Sequence, residues 1–179
     1  MGKVLWHATM SLDGFIAGPK GEMDWMSGHP GMTAEEFMKI IQATGAAITG
    51  RRSYDVGVRQ GHKVYGGAFT GPVFVLTHEP PATSDPGLTF LNADITDAVA
   101  QAKAVANGKN VALIGANVAK QAALAGLVDE VLIHVVPVLV GDGTRLFDDP
   151  GSDWIHLEPI SVNRSGHQAD LRYSVRKDG

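Results

Sequence analysis

The chain contains no cysteine, which rules out disulfide staples, thiolate-bound metal and a cysteine nucleophile. A reducing compartment suits such a composition. Charge is also scarce: 19% of residues are Asp, Glu, Lys or Arg, and the formal net charge is -4. With a pI near 5.9, the chain has no basic stripe of the kind that nucleic acid or an anionic membrane demands. Neither partner is expected. Long apolar runs are missing as well. The longest, residues 131–140, is broken by His134 and Pro137 and falls far short of the ~20 residues a spanning helix needs. The first seven residues lack the apolar core of a secretory signal, and Trp6 stands where a myristoylation motif wants Ser or Thr. A cytoplasmic location is the expectation. Among His7, His29, His62, His78, His134, His156 and His167 no two stand at the i, i+4 spacing of a helical zinc motif. No metal is expected, and each histidine reads as structural or solvated.

What is present suits one domain over residues 1–179, because 44% hydrophobic content fills a core without staples. Residues 4–10 read as a first strand, followed by the turn Ser11-Leu12-Asp13-Gly14 and a long Gly- and Pro-containing loop through Gly31. A loop of that length, carrying Met23, Trp25 and Met26, suits a lid or binding loop. Thr33-Ala34-Glu35-Glu36 is a capping box. Phe37, Ile40, Ile41 and Thr44 mark one face of the helix that follows, and Gly45 is its expected end. Strands are predicted at 46–49, 72–77, 88–91 and 130–136, with two antiparallel strands near 154–160 and 168–175. The Gly-rich stretch 57–71 reads as an excursion, and the Pro80-Pro81 pair with Asp85-Pro86-Gly87 as a loop. Helices are predicted at 95–107, stopped by Gly108, and from an Asn117 cap through Ala125, stopped by Gly126. The order predicts an α/β fold. It has a mostly parallel central sheet, an antiparallel C-terminal hairpin and helices on both faces.

Two junctions carry the functional signal. Residues 46–50 and 111–115 are apolar stretches that end in Gly50 and Gly115 and run directly into helix starts. A glycine lets backbone approach an anion, and the helix N-terminus offers free N–H groups and partial positive charge. Only the first junction adds two arginines, Arg51 and Arg52, ahead of Ser53. Cations there oppose the helix dipole, so they mark either an anion partner or a solvated helix start. Two anion sites at the carboxyl edge of one sheet, one with full positive charge, point to a dinucleotide with an extra phosphate, NADP(H) more than NAD(H).

The residues Met10-Ser11-Leu12-Asp13-Gly14-Phe15-Ile16-Ala17-Gly18, Gly50-Arg51-Arg52-Ser53-Tyr54 and Val73-Phe74-Val75-Leu76-Thr77 together resemble the dihydrofolate reductase-like superfamily. Within it, Ala125-Gly126-Leu127-Val128-Asp129-Glu130 and the segment from Pro137 to Phe147 resemble the reductase domain of the bifunctional riboflavin-biosynthesis deaminase-reductase, here without a deaminase half. The resemblance covers nearly the whole chain. It implies an NADPH site with Gly50, Arg51, Arg52 and Ser53 at the adenosine-side phosphates and Leu76 and Thr77 near adenine. Gly115, Ala116, Asn117 and Val118 would lie at the pyrophosphate, and Thr9, Ile16 and Ala17 would border the nicotinamide. Ala116 departs from the Gly-Gly pair common in related reductases. The implied reaction is reduction of a small heterocyclic molecule, a pterin or a pyrimidine ribosylamine, by a homodimer paired through its C-terminal strands.

Reduction of C=N or C=O needs a proton besides the hydride. The carboxylates on offer are Glu36, at the border of the first helix's apolar face, and Asp13 in the Ser-Leu-Asp-Gly turn. Glu36 is either the donor or the second half of its own capping box. Asp13 either binds a substrate hydroxyl or amine, or closes an Asx turn. Met23 and Trp25 either cover the nicotinamide or anchor their loop, and Arg145 either orients a substrate phosphate or closes its turn. A nucleotide-binding or ligand-sequestering dimer without chemistry is the alternative reading.

Overall fold

The computed structural model describes residues 2–61, 63–81, 87–148 and 154–177; His62 and the Asp85-Pro86 part of the predicted loop lie outside them. Ten strands and four α-helices follow in the order β1 (Val4–Ser11), β2 (Phe15–Ala17), α1 (Ala34–Ala43), β3 (Thr44–Gly50), α2 (Arg51–Gln60), β4 (Val73–Leu76), β5 (Leu88–Leu91), α3 (Ile95–Val105), β6 (Asn110–Ile114), α4 (Ala116–Leu124), β7 (Glu130–Val136), β8 (Thr144–Arg145), β9 (Leu157–Ser165) and β10 (Gln168–Val175). Eight of the strands form one sheet in the order β5-β4-β3-β6-β1-β7-β10-β9. Pairing is parallel from β5 through β7 and antiparallel at β10 and β9. The predicted fold class is therefore the observed one.

Alternation along the central strands divides the core. Val4, Trp6, Ile48, Leu113, Val131 and Ile133 face one side, where Ala98, Val99 and Ala102 of α3 and Ala119 and Ala122 of α4 pack against them. Alanine on those helices lets their axes lie close to the sheet. The opposite face is thinner: Ala47, Val73 and Ala112 are covered by Val64, Tyr65 and Phe69, and Phe37 of α1 meets Tyr65 edge-on with ring centroids 5.9 Å apart. The thinly covered face is where a cleft remains.

Several boundaries differ from expectation for identifiable reasons. Gly45 does not end α1. It lies inside β3, at the register shift between Thr44 and Ala46. A Cβ there would stand 2.1 Å from the Ala106 carbonyl oxygen, so this glycine serves a close backbone approach. The Gly-rich stretch 57–71 is not wholly an excursion: α2 continues through Gly57 to Gln60 and ends on Gly61 in the left-handed region. Asn117 is inside α4, whose cap is Gly115. The first strand of the terminal hairpin starts at Leu157 rather than 154.

At the base of the sheet, Glu130 is buried and receives Lys3 and Arg172 as ion-pair partners. Burial works to raise its pKa, but the bonds from Lys3 and Arg172 outweigh it and hold the carboxyl below its usual range.

Gly45→Ala is expected to lower unfolding free energy by about 3 kcal/mol, since the obstructing atom is backbone and cannot step aside. Chemical denaturation of the two proteins checks it; an unchanged midpoint would contradict the close approach.

Candidate functional site

Parallel pairing of β3 with β6 puts Thr49 opposite Ile114, so the Gly50 and Gly115 junctions lie side by side at the carboxyl edge. Their contact is direct. Gly115 has φ 97°, and a Cβ on it would stand 2.4 Å from Ser53 Oγ; one on Gly50 would stand 3.3 Å from Val118 Cγ2. Two helix N-termini thus open onto a single cleft, with no side chain between strand end and helix start. No cis peptide bond occurs among the described residues, Gly115–Ala116 included.

The cleft measures about 2190 Å³, above the ~300–1,000 Å³ of a pocket for one small ligand. A dinucleotide and a second molecule can share it. Every residue that the sequence assigned to cofactor lines this one cleft: Thr9, Ile16, Ala17, Gly50 to Ser53, Leu76, Thr77 and Gly115 to Val118. The two arginines differ. Arg51 Nε donates to Asp55 Oδ1 at 2.8 Å, and its guanidinium also reaches the Glu79 carbonyl. Among the described residues no hydrogen bond or ion pair holds Arg52, which is exposed.

The carboxylates proposed for proton transfer lie elsewhere. Glu36 accepts from Thr33 N at 2.7 Å and Thr33 Oγ1 at 2.9 Å, while its own N–H donates to Thr33 Oγ1. These bonds, the Thr33 backbone first, keep its carboxyl below the ordinary range. Asp13 accepts from Ser11 Oγ at 2.6 Å and from the N–H groups of Val140 and Gly141 at 3.0 and 2.7 Å. The Ser11 hydroxyl first, then Val140, brings its pKa down to about 2. Neither side chain lines the cleft. The structure spends Glu36 on a cap and Asp13 on clasping the turn after β1 to the segment after β7, so a proton donor must be sought elsewhere. Arg145 pairs across β2 and β8 and lies 4.5 Å over the Phe15 ring. Met23 and Met26 line the cleft, whereas Trp25 donates its Nε1–H to the Glu22 carbonyl and does not.

The sequence reading missed the polar row on the cleft face of the sheet. His7 Nε2 lies 2.8 Å from His134 Nε2, His134 Nδ1 lies 2.5 Å from Asp170 Oδ1, and His7 Nδ1 lies 2.9 Å from the Tyr65 hydroxyl. Strand register builds it: Asp170 is directly opposite His134, and Thr9 pairs with His134 across β1 and β7. His7, His134 and Asp170 are buried, and His7, His134 and Tyr65 line the cleft. Burial first, then the neighbouring His134 and Arg172, pushes His7 down to about 3. A signal did exist. Histidine inside an otherwise apolar central strand must find partners when buried, but which partners depends on strand order. No group of three or more potential metal ligands occurs among the described residues. None of their helices is long and apolar enough to cross a membrane.

A mostly parallel sheet with two helix N-termini converging at its carboxyl edge defines an α/β protein of dihydrofolate reductase-like fold. The chain belongs to the RibD C-terminal domain family, whose model matches residues 2–171. It is 28% identical over 176 residues to the uncharacterized protein YwjB of Bacillus subtilis (strain 168), spanning 96% of this chain and 97% of that protein. The fold matches a Shewanella sp. PV-4 protein described under riboflavin biosynthesis, with TM-score 0.83, 21% identity and coverage of 98% and 99%. It also matches Enterococcus faecalis dihydrofolate reductase complexed with NADP(H), with TM-score 0.63, 15% identity and coverage of 99% and 98%. Family and neighbours support a reductase-type function.

Because His7 stays neutral in the fold down to about pH 3 but takes a proton near 6.5 when unfolded, the unfolded state binds more protons between those values. Stability contributed by this group is therefore complete above about pH 6.5 and lost on acidification. Wild-type protein is expected to lose on the order of 3 kcal/mol between pH 6.5 and 4 through His7, and His7→Gln to show a shallower loss. Denaturant titrations across that range check it; identical slopes would contradict a buried neutral His7.

Proposed function

We propose that the protein is an NADPH-dependent reductase of a small heterocyclic substrate, a pyrimidine ribosylamine of the riboflavin type or a pterin. One observation carries this reading: two abutting helix N-termini open on one cleft, with Arg52 at the first unpaired among the described residues. Pyrophosphate would take the N–H groups from Gly115 to Val118, and Gly50 and Ser53 would line the approach to the adenosine side. Arg52 is free to meet a ribose phosphate, while Arg51, braced by Asp55, adds positive field beside it. Leu76 and Thr77 would border adenine, and Thr9, Ile16 and Ala17 the nicotinamide. When bound, the cofactor supplies hydride. The protein's part is to orient both molecules, exclude water and deliver a proton. The NADP(H) complex of the Enterococcus reductase and the riboflavin description of the Shewanella protein both favour this reading.

Fluorescence titration is expected to show NADPH binding, with Arg52→Ala weakening it about tenfold, roughly 1.4 kcal/mol, and leaving NADH little changed. Equal losses for both cofactors would remove the phosphate role, and no NADPH binding would remove the reductase. Loss of reduced-nicotinamide absorbance with the pyrimidine ribosylamine or with dihydrofolate then separates enzyme from binder.

The chain is also proposed to dimerise through its C-terminal hairpin, because Leu157, Ile160 and Val162 are exposed along β9. Of the apolar 135–140 stretch expected to contribute, Leu139 is exposed, but Val136 is fully buried. Light scattering is expected to give twice the chain mass for wild type and the chain mass for Ile160→Glu with Val162→Lys. A monomeric wild type would exclude it.

A further inference from the structure

We propose that Tyr65, His7, His134 and Asp170 form a proton wire that delivers, through the Tyr65 hydroxyl, the proton needed when a C=N or C=O substrate takes hydride in this cleft. The proposal rests on the reductase reading above and names the donor that reading lacks.

The geometry leaves little freedom in where protons sit. Asp170 as carboxylate only accepts, so His134 Nδ1–H donates to it across 2.5 Å. In the neutral chain His134 Nε2 is then bare and accepts His7 Nε2–H across 2.8 Å. His7 Nδ1, bare in turn, accepts the Tyr65 O–H across 2.9 Å. Every bond points toward Asp170. One added proton reverses the middle of the chain. His134 becomes imidazolium against Asp170 and donates Nε2–H to His7; His7 carries its own proton on Nδ1 and donates it to the Tyr65 oxygen. His7 then no longer accepts from the Tyr65 hydroxyl, whose proton is free for a molecule in the cleft that Tyr65 lines.

The step balances. A reduced nicotinamide held in the cleft would supply the hydride to the substrate carbon; the heteroatom, left with the π pair, takes its proton from the Tyr65 hydroxyl. The Tyr65 oxygen takes the proton from His7 Nδ1, and His7 Nε2 takes that of His134 Nε2. The chain ends neutral and is recharged from solvent. In neither state is His7 charged, which agrees with the depressed basicity that burial gives it. Burial likewise raises the Tyr65 hydroxyl, opposed by Thr44, so the phenol keeps its proton until His7 can replace it.

Two further observations single out Tyr65. Its backbone is in the left-handed region, φ 52° and ψ 39°, a conformation a bulky side chain holds only under constraint. Its ring is fixed by Phe37, Phe69 and His7, with centroids 5.9, 6.3 and 5.4 Å away. The charged groups facing the wire are Arg172 from β10 and Glu36 from α1. Arg172 is tied to Glu130, which Lys3 also meets.

The test is 15N NMR of histidine-labelled full-length protein, without ligand, across pH. In wild type, His134 is expected to gain its second proton while His7, without gaining one, moves its proton from Nε2 to Nδ1 at the same midpoint. Tyr65→Phe, which keeps the ring but removes the acceptor, should lower that midpoint by about one pH unit, a tenfold loss in proton affinity. A His7 proton fixed on one nitrogen, or separate midpoints for the two rings, would overturn the wire. NADPH titration of the same samples keeps the two readings apart. A shared tautomer swap without NADPH binding supports the wire and removes the reductase, whereas NADPH binding with a fixed His7 tautomer does the reverse. With the pyrimidine ribosylamine, Tyr65→Phe is expected to lower kcat about 100-fold with KM for NADPH unchanged. A kcat within twofold of wild type would overturn the donor role.

Discussion

Parallel pairing between β3 and β6 is the constraint on which the site depends. Because Thr49 and Ile114 stand opposite each other, both strands end at one level and both following helices begin there. Had the register slipped by one residue, Gly50 and Gly115 would no longer abut, and each strand's side chains would exchange faces. The glycines are the local price of that proximity: Gly115 leaves the space that Ser53 fills, and Gly50 the space beside Val118.

The same sheet carries two different surfaces. One is packed with alanine-rich α3 and α4 in a hydrophobic cluster. The other carries His7, His134, Asp170 and, lower down, Glu130 with Arg172 and Lys3. Polar groups buried on a sheet face cost stability unless each finds a partner. Here cross-strand register supplies the partners, Asp170 for His134 and His134 for His7. Fully partnered in this way, they tie β1, β7 and β10 together at the point where parallel pairing gives way to antiparallel.

The two glycine junctions and the histidine row line one cleft, so the helix N-termini and the buried polar groups belong to a single site. The glycine junctions and the histidine row are carried by strands and helix starts, whose positions the sheet fixes. Tyr65 is the exception, reaching the row from a short 3-10 turn at Val64–Gly67. Its packing against Phe37 of α1 makes that helix part of the site's wall.

Residue content and punctuation made most elements legible, since β5, β7 and β10 fall at the strand positions predicted and Thr33 caps α1 as its capping box required. The Gly50 and Gly115 junctions were legible for the same reason: backbone permissiveness is a property of the residue itself. Gly45 was misread because a glycine at a helix end and one under a neighbouring carbonyl look alike until Ala106 is placed. Glu36 and Asp13 drew attention as carboxylates, yet their bonds to Thr33, Ser11 and Val140 show how local partners absorb them. Composition and local pattern thus determined the fold class and the sheet edge at which the two glycine junctions lie. Only the tertiary structure, by setting strand order and register over separations such as His7 to His134, decided which buried polar groups face one another.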